Sequence, residues 1–210
     1  MADTIMENNR VLIAGTVNTP IELDHQLYGE IFYKFYMGVP RLSGYIDMLP
    51  VTISDRLMGH IDISVGTEIV VEGQLRSYNK QVNGKTKLIL TVFAREVYAK
   101  VEPIKNPNTI FLNGFLCKTP IYRVTPFKRE ISDILLAVNR MYNKSDYIPA
   151  IAWGRNARFC ETLNVGDELM LWGRIQSRIY QKRLSEHEVV ERTAYEVSIT
   201  KMELVCNNDV

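Results

Sequence analysis

A chain of 210 residues, 46% hydrophobic, 23% charged and 10% aromatic, has the make-up of a folded protein of one large domain or two of about 100 residues each. No run of 18 apolar residues is present and MADTIMENNR lacks an apolar core, so neither a membrane-spanning helix nor a secretory leader is expected. The formal net charge of +1 does not announce a polyanion-binding protein, but its distribution does: residues 118–183 hold 12 basic and 6 acidic side chains, and 184–210 hold 2 and 6.

In chain order, Arg10–Val17, Ile31–Val39, Tyr45–Ile53, Glu68–Ser77 and Lys87–Ala99 are rich in Val, Ile, Leu and Tyr with partial alternation, which predicts five strands. Ser54–Ile61, opening on Ser and Asp, is the only helical candidate before the fourth strand. VNGK (82–85) sets Asn-Gly between apolar runs and predicts a type I′ hairpin. VEPIKNPN (101–108), stiffened by Pro103 and Pro107, reads as a linker. The second half repeats the order, with a helix candidate at Asn156–Leu163 and a longer charged hairpin tip near Gln181–Val190. Its clearest strand is LMLWGRIQSRIYQKR (169–183). Leu169, Leu171, Ile175 and Ile179 fall on one parity. Trp172, Arg174, Gln176, Arg178, Tyr180 and Lys182 fall on the other, giving an oily side and a cationic-aromatic side. Interleaved guanidinium groups and rings suit an unpaired nucleic acid strand, and they equally suit an amphipathic strand with a solvated face.

Three pairs of segments establish an internal repeat: RVLIAGTVNTPIE with TIFLNGFLCKTPIY, DMLPVTISDR with DYIPAIAWGR, and SVGTEIVVEGQLRSY with NVGDELMLWGRIQSR. The offset is 99 residues at Gly15/Gly114 and Pro50/Pro149, and 100 at Gly66/Gly166 and Gly73/Gly173. The expected architecture is all-β: two tandem OB-folds over 1–100 and 109–206, each a five-stranded Greek-key barrel with one short helix between strands three and four.

In the second copy, ILLAVNRMY (134–142), YIPAIAWGRNARFCETLNVGDEL (147–169) and WGRIQSR (172–178) resemble the bacterial single-stranded DNA-binding proteins. The resemblance spans about 109–204, and residues 10–99 match more weakly. It implies single-stranded DNA binding without sequence preference in replication, recombination or repair, and a cytoplasmic homodimer that gathers four OB-folds. The family's base-stacking rings fall on Tyr142, Tyr147, Trp153 and Tyr180. Arg140, Lys144, Arg155, Arg158, Arg174, Arg178, Lys182 and Arg183 are the expected phosphate partners. Trp172 has no family role, and an inter-subunit contact fits it as well as stacking. The first copy has Met48, Ser54 and Lys80 where the second has Tyr147, Trp153 and Tyr180, and Glu72 for Trp172. Its binding face is expected to be degenerate. It either binds weakly through Arg76, Tyr78, Lys80, Lys85 and Lys87 or serves as an assembly surface. The family's acidic, partner-recruiting tail is expected to be absent, because the last strand runs into CNNDV (206–210).

An enzyme finds little support: no phosphate-binding G-x-x-x-x-G-K-[ST], nucleophile elbow or H-E-x-x-H is present. Cys117, Cys160 and Cys206 form no C-x-x-C, and His25, His60 and His187 are scattered, so reduced thiols, no metal and no cofactor are expected. The rival reading is an assembly or primosome-adaptor protein whose barrels bind partners rather than DNA. Nothing separates DNA from RNA, since no residue identifies a reader of the 2′-hydroxyl.

Overall fold

Alternation at period two governs almost the whole chain, and the computed structural model, which describes residues 7–59, 61–82, 84–183 and 189–205, is built from strands accordingly. The first half runs β1 (Asn9–Val17), β2 (Glu22–Leu27), β3 (Glu30–Pro40), β4 (Ile46–Ser54), a one-turn helix α1 (Asp55–Met58), β5 (Glu68–Val82) and β6 (Lys85–Ala99). The second half runs β7 (Asn108–Leu116), β8 (Ile121–Val124), β9 (Glu130–Arg140), β10 (Lys144–Trp153), α2 (Arg155–Phe159), β11 (Glu168–Arg183) and β12 (Val189–Leu204), with a 3-10 turn at Cys160–Thr162 after α2. The protein is all-β, two tandem OB-folds with one short helix in each.

Several boundaries differ from the sequence reading for physical reasons. Each barrel has an additional short strand, β2 or β8, that pairs with only one neighbour. ELDHQL is exposed along nearly its whole length, so no apolar alternation marks it. The first helix stops at Met58 rather than Ile61; Ser54 caps it, its hydroxyl accepting from the Arg56 N–H at 3.2 Å. Asn108 belongs to β7 rather than to the linker, and the preceding Pro107 carbonyl accepts from the Ala14 N–H at 2.8 Å. The first hairpin closes at the Val82–Lys85 pair, with Gly84 at φ +72° as a two-residue turn requires. Asn83 of that turn, residues 184–188 of the second tip, and CNNDV lie outside the described residues.

The two barrels share one sheet in the order β2-β3-β4-β6-β5-β1-β7-β11-β12-β10-β9-β8, which reads the same from either end once the repeat is taken into account. Its centre is the antiparallel β1–β7 pair, where Val11 lies opposite Ile110. These residues are 99 apart, so each faces its own counterpart in the repeat, and a local two-fold axis passes between them. The arrangement is that of an isologous dimer interface contained within one chain. Asn9 and Asn108, also 99 apart, reinforce it. The Asn9 amide bonds the Leu75 carbonyl and N–H at 2.8 and 2.9 Å, and Asn108 bonds those of Ile175 at 2.7 and 2.9 Å.

Val11, Ile13, Phe35, Leu49, Ile53, Ile69 and Leu75 fill the first barrel; Leu112, Leu136, Ile148, Leu169, Ile175 and Val197 fill the second. Their clusters are continuous through the β1–β7 seam. Burial of each such side chain is worth about 1.5–3 kcal/mol. Ile179 departs from its expected place on the oily side of β11, being 54% exposed. Beyond Ser177 the β11–β12 ribbon outruns the barrel, so its inward parity has nothing left to cover.

Candidate nucleic-acid interface

Strand register puts the rings and several cations of the second barrel on one outer surface. Along β10 the even positions Ile148, Ala150 and Ala152 enter the core, which turns Tyr147 and Trp153 outward opposite Ala137 and Ile131. The neighbouring pairings, Ile151 with Ser198 and then Arg174 with Ser198, Arg178 with Ala194 and Tyr180 with Arg192, extend the same face across β12 and β11. Tyr147 is 47% exposed and Trp153 is half-buried, its indole Nε1 donating to Ser198 Oγ at 3.1 Å. That bond orients the ring while one side stays accessible. Tyr142 sits in the β9–β10 turn at φ +62° and is 87% exposed. Tyr180 is reached by the Arg178 guanidinium, 5.7 Å from the ring centre.

The predicted cations separate into two groups. Lys144, Arg155, Lys182 and Arg183 are exposed. Arg158 lies 3.4 Å from Glu130, and Arg178 lies 3.8 Å from Glu196. Arg140 and Arg76, by contrast, converge on the fully buried carboxylate of Asp146, at 3.3 and 3.1 Å. Arg76 thereby braces the first barrel against the second, while Arg140 pairs with Asp146 inside the second barrel. Asp146 also accepts the Ser77 N–H at 2.6 Å, and Ser77 Oγ receives the Tyr147 N–H at 2.7 Å. The repeat builds the reciprocal brace from Asp47, which holds Arg41 through Nε at 2.6 Å and Nη2 at 2.5 Å and accepts the Ser177 N–H at 2.7 Å. Burial pulls the Arg76 guanidinium below its ordinary value against the pull of Asp146. Arg174 is lowered by burial and then by the nearby Arg41. Both remain cations at neutral pH. Arg174 faces a groove of about 530 Å³ beside Arg41 and Lys105 rather than the Tyr147 surface alone.

Trp172 packs on Phe111 with ring centres 5.2 Å apart, Lys201 covering the indole at 4.5 Å and Arg10 lying 5.3 Å from Phe111. This row crosses β12, β11, β7 and β1 on the outside of the central strands.

The first barrel's matching face does carry rings, at positions the sequence comparison passed over. Phe32 lies opposite Ser54, and Phe93 lies beside Thr52. Their ring centres are 5.6 Å apart, and His25 stacks on Phe32 at 4.8 Å. Tyr78 and Lys80 are exposed along the same groove; Lys85 and Lys87 are exposed on the hairpin. The available signal was the parity of Thr91, Phe93 and Arg95. A bulge at Arg95 obscures it: Ala94 pairs with Gly73 and Glu96 with Glu72, leaving Arg95 unpaired. Among the described residues no cluster of metal-ligating side chains occurs, and Cys117 and Cys160 are unpaired thiols. No described helix is long and apolar enough to cross a membrane.

Residues 107–205 match the model of the single-strand binding protein family. No curated protein matches the chain. Among solved structures, the wild-type single-stranded DNA binding protein from Thermus aquaticus is similar over 96% of this chain and 95% of its own, with a TM-score of 0.71 and 21% identity. A deletion mutant of that protein gives 0.68 and 21% over 95% of each chain. The N-terminal domain of PriB protein from Thermoanaerobacter tencongensis is 52% identical over 46% of this chain and 100% of that one, with a TM-score of 0.40. The two Thermus likenesses span both barrels and speak to the fold.

Proposed function

We propose that the chain, whose residues 107–205 match the model of the single-strand binding protein family, binds unpaired DNA without regard to base sequence and does so without catalysis. The observation that carries this reading is the outer face of the second barrel, where Tyr147, Trp153 and Tyr180 lie within one sheet register with exposed cations around them. Every base has a π-face, so stacking on such rings holds any sequence, at about 1–3 kcal/mol per base. Tyr142 extends the ring series at the β9–β10 turn. Lys144, Arg155, Lys182 and Arg183 neutralise phosphates along the path, and each contact releases counterions. Arg178 serves both purposes through Tyr180. Strands exposed during replication, recombination or repair in the cytoplasm are the proposed substrate, and no cofactor is required.

Two copies of the chain join in this reading to give four barrels, with the Phe111–Trp172 row as the contact. A sedimentation measurement that returns a monomer at micromolar concentration removes that part alone.

The test of binding is anisotropy of a labelled oligo-dT titrated with protein at low and moderate salt, beside a duplex of equal length. Binding to the single strand, weakening with salt by a log–log slope of about −0.7 per phosphate contact, is the expected result. Equal affinity for the duplex, or no binding at low salt, overturns it.

A further inference from the structure

We propose that the first barrel carries its own site for unpaired bases, rebuilt on different strands from the second: Phe93 on β6 and the exposed His25 on β2, stacked on the buried Phe32 of β3, form a stacking platform walled by cations. This rests on the reading of the protein as a single-strand binder and adds a second contact region for the same strand.

The two outer faces correspond position by position. Trp153 of the second barrel stands opposite Ile131, and its indole bonds Ser198 on the adjoining strand. At the three equivalent places the first barrel has Ser54, Phe32 and Phe93. The side chains have changed places within one patch: a ring flanked by an aliphatic and a hydroxyl has become a hydroxyl flanked by two rings. All of these positions are on the outer parity of their strands, so the aromatic surface is moved by one strand and kept on the same face.

The groove over this platform encloses about 660 Å³, within the ~300–1,000 Å³ typical of pockets for drug-sized ligands. Arg76, Lys80, Arg95 and Arg140 line it, against Asp24 as the one acidic lining residue. Asp24 is engaged by His25 Nδ1 at 2.8 Å. The Arg95 guanidinium lies 5.4 Å from the Phe93 ring centre, which makes that ring a cation–π partner as well as a stacking surface. Thr91 occupies the place of Glu196, so the first face lacks the carboxylate that sits in the middle of the second. Arg76 and Arg140 share the buried Asp146, so a neutral apolar ligand would leave Lys80 and Arg95 as the lining cations without counter-charge, whereas an unpaired polynucleotide supplies ring and phosphate together. Arg140 comes from the end of β9, next to the Tyr142 turn. The groove therefore opens toward the second barrel's ring series, and one strand can pass from one to the other.

The test uses the full chain with Phe93→Ser and Arg95→Thr, which install the residues of the other barrel at Ser198 and Thr200. An oligo-dT of about 30 nucleotides is long enough to span two barrels at up to ~16 nucleotides each. The double variant should raise Kd about tenfold and shorten the occluded length, while saturating oligonucleotide still quenches the tryptophans, both of which lie in the second barrel. Unchanged Kd and occluded length overturn the proposal and leave second-barrel binding standing. A wild-type protein that binds no oligo-dT removes the underlying reading, and this one with it. Should Phe93→Ser fail to fold, ultraviolet cross-linking of wild-type protein to oligo-dT decides: adducts at His25 or Phe93 support the site, and adducts confined to the second barrel overturn it.

Discussion

The two barrels share a backbone and differ on their outer faces, and the contrast separates what folding requires from what binding uses. Val11 and Ile110 meet on the local axis, Asn9 and Asn108 close equivalent seams, and Asp47 and Asp146 anchor reciprocal braces. Those positions hold the same chemistry because the geometry leaves no alternative. On the outer face the second barrel presents Tyr147, Trp153 and Tyr180 with Glu196 and Asp133 among them, and the first presents His25 over buried Phe32, Phe93 and Tyr78 with Thr91 and Lys34 at the acidic places. A solvent-facing side chain on a strand is tied only weakly to the fold, so rings can move between strands while the core stays as it was.

The largest effect expected from breaking this comparison is on the shared braces. Asp146→Ala leaves Arg76 and Arg140 without their buried carboxylate, and Asp47→Ala does the same to Arg41. Each should lower stability by about 3–5 kcal/mol, read as the midpoint shift in urea. If one variant is much milder than the other, the braces are not equivalent. Next come the glycines beside the bulges. A Cβ on Gly73 would stand 2.1 Å from the Phe93 carbonyl oxygen, and one on Gly173 would stand 2.2 Å from that of Ser198. Gly73→Ala and Gly173→Ala should therefore cost similar amounts, about 1–3 kcal/mol each, in the same denaturation assay.

A smaller effect, and one that divides the barrels, is expected at matched positions on β4 and β10. Trp153→Ala should weaken oligo-dT binding about tenfold, from the loss of one stacking ring. Ser54→Ala should leave affinity unchanged and remove a helix cap worth about 1 kcal/mol. The smallest effect belongs to Glu196→Thr, which gives the second face the residue the first has at Thr91. Affinity should rise two- to threefold at low salt, about 0.5 kcal/mol, and the gain should vanish at high salt.

The sequence reading recovered what repeats or alternates. The constant offset identified two barrels, and the parity of 169–175 separated Leu169, Leu171 and Ile175 from Trp172 and Arg174, as the burial of β11 bears out. The remainder depends on which strands lie side by side, and that is not written locally. Asp47 and Asp146 look like ordinary strand-entry acids until each is seen gripping the other barrel. Phe32 and Phe93 are 61 positions apart in the chain and form one platform only through β3–β4 and β4–β6 pairing. β2 and β8 escaped notice because edge strands in solvent have no oily parity, and Ile179 misled because its strand continues past the core it would have covered.

Trp153 emission during an oligo-dT titration, in a Trp172→Phe background so that one indole reports, tests the central claim most directly. Saturable quenching that follows binding and weakens with salt is the predicted result. Oligonucleotide bound, by anisotropy, with Trp153 emission unchanged would contradict the account, because the strand would then lie elsewhere on the molecule.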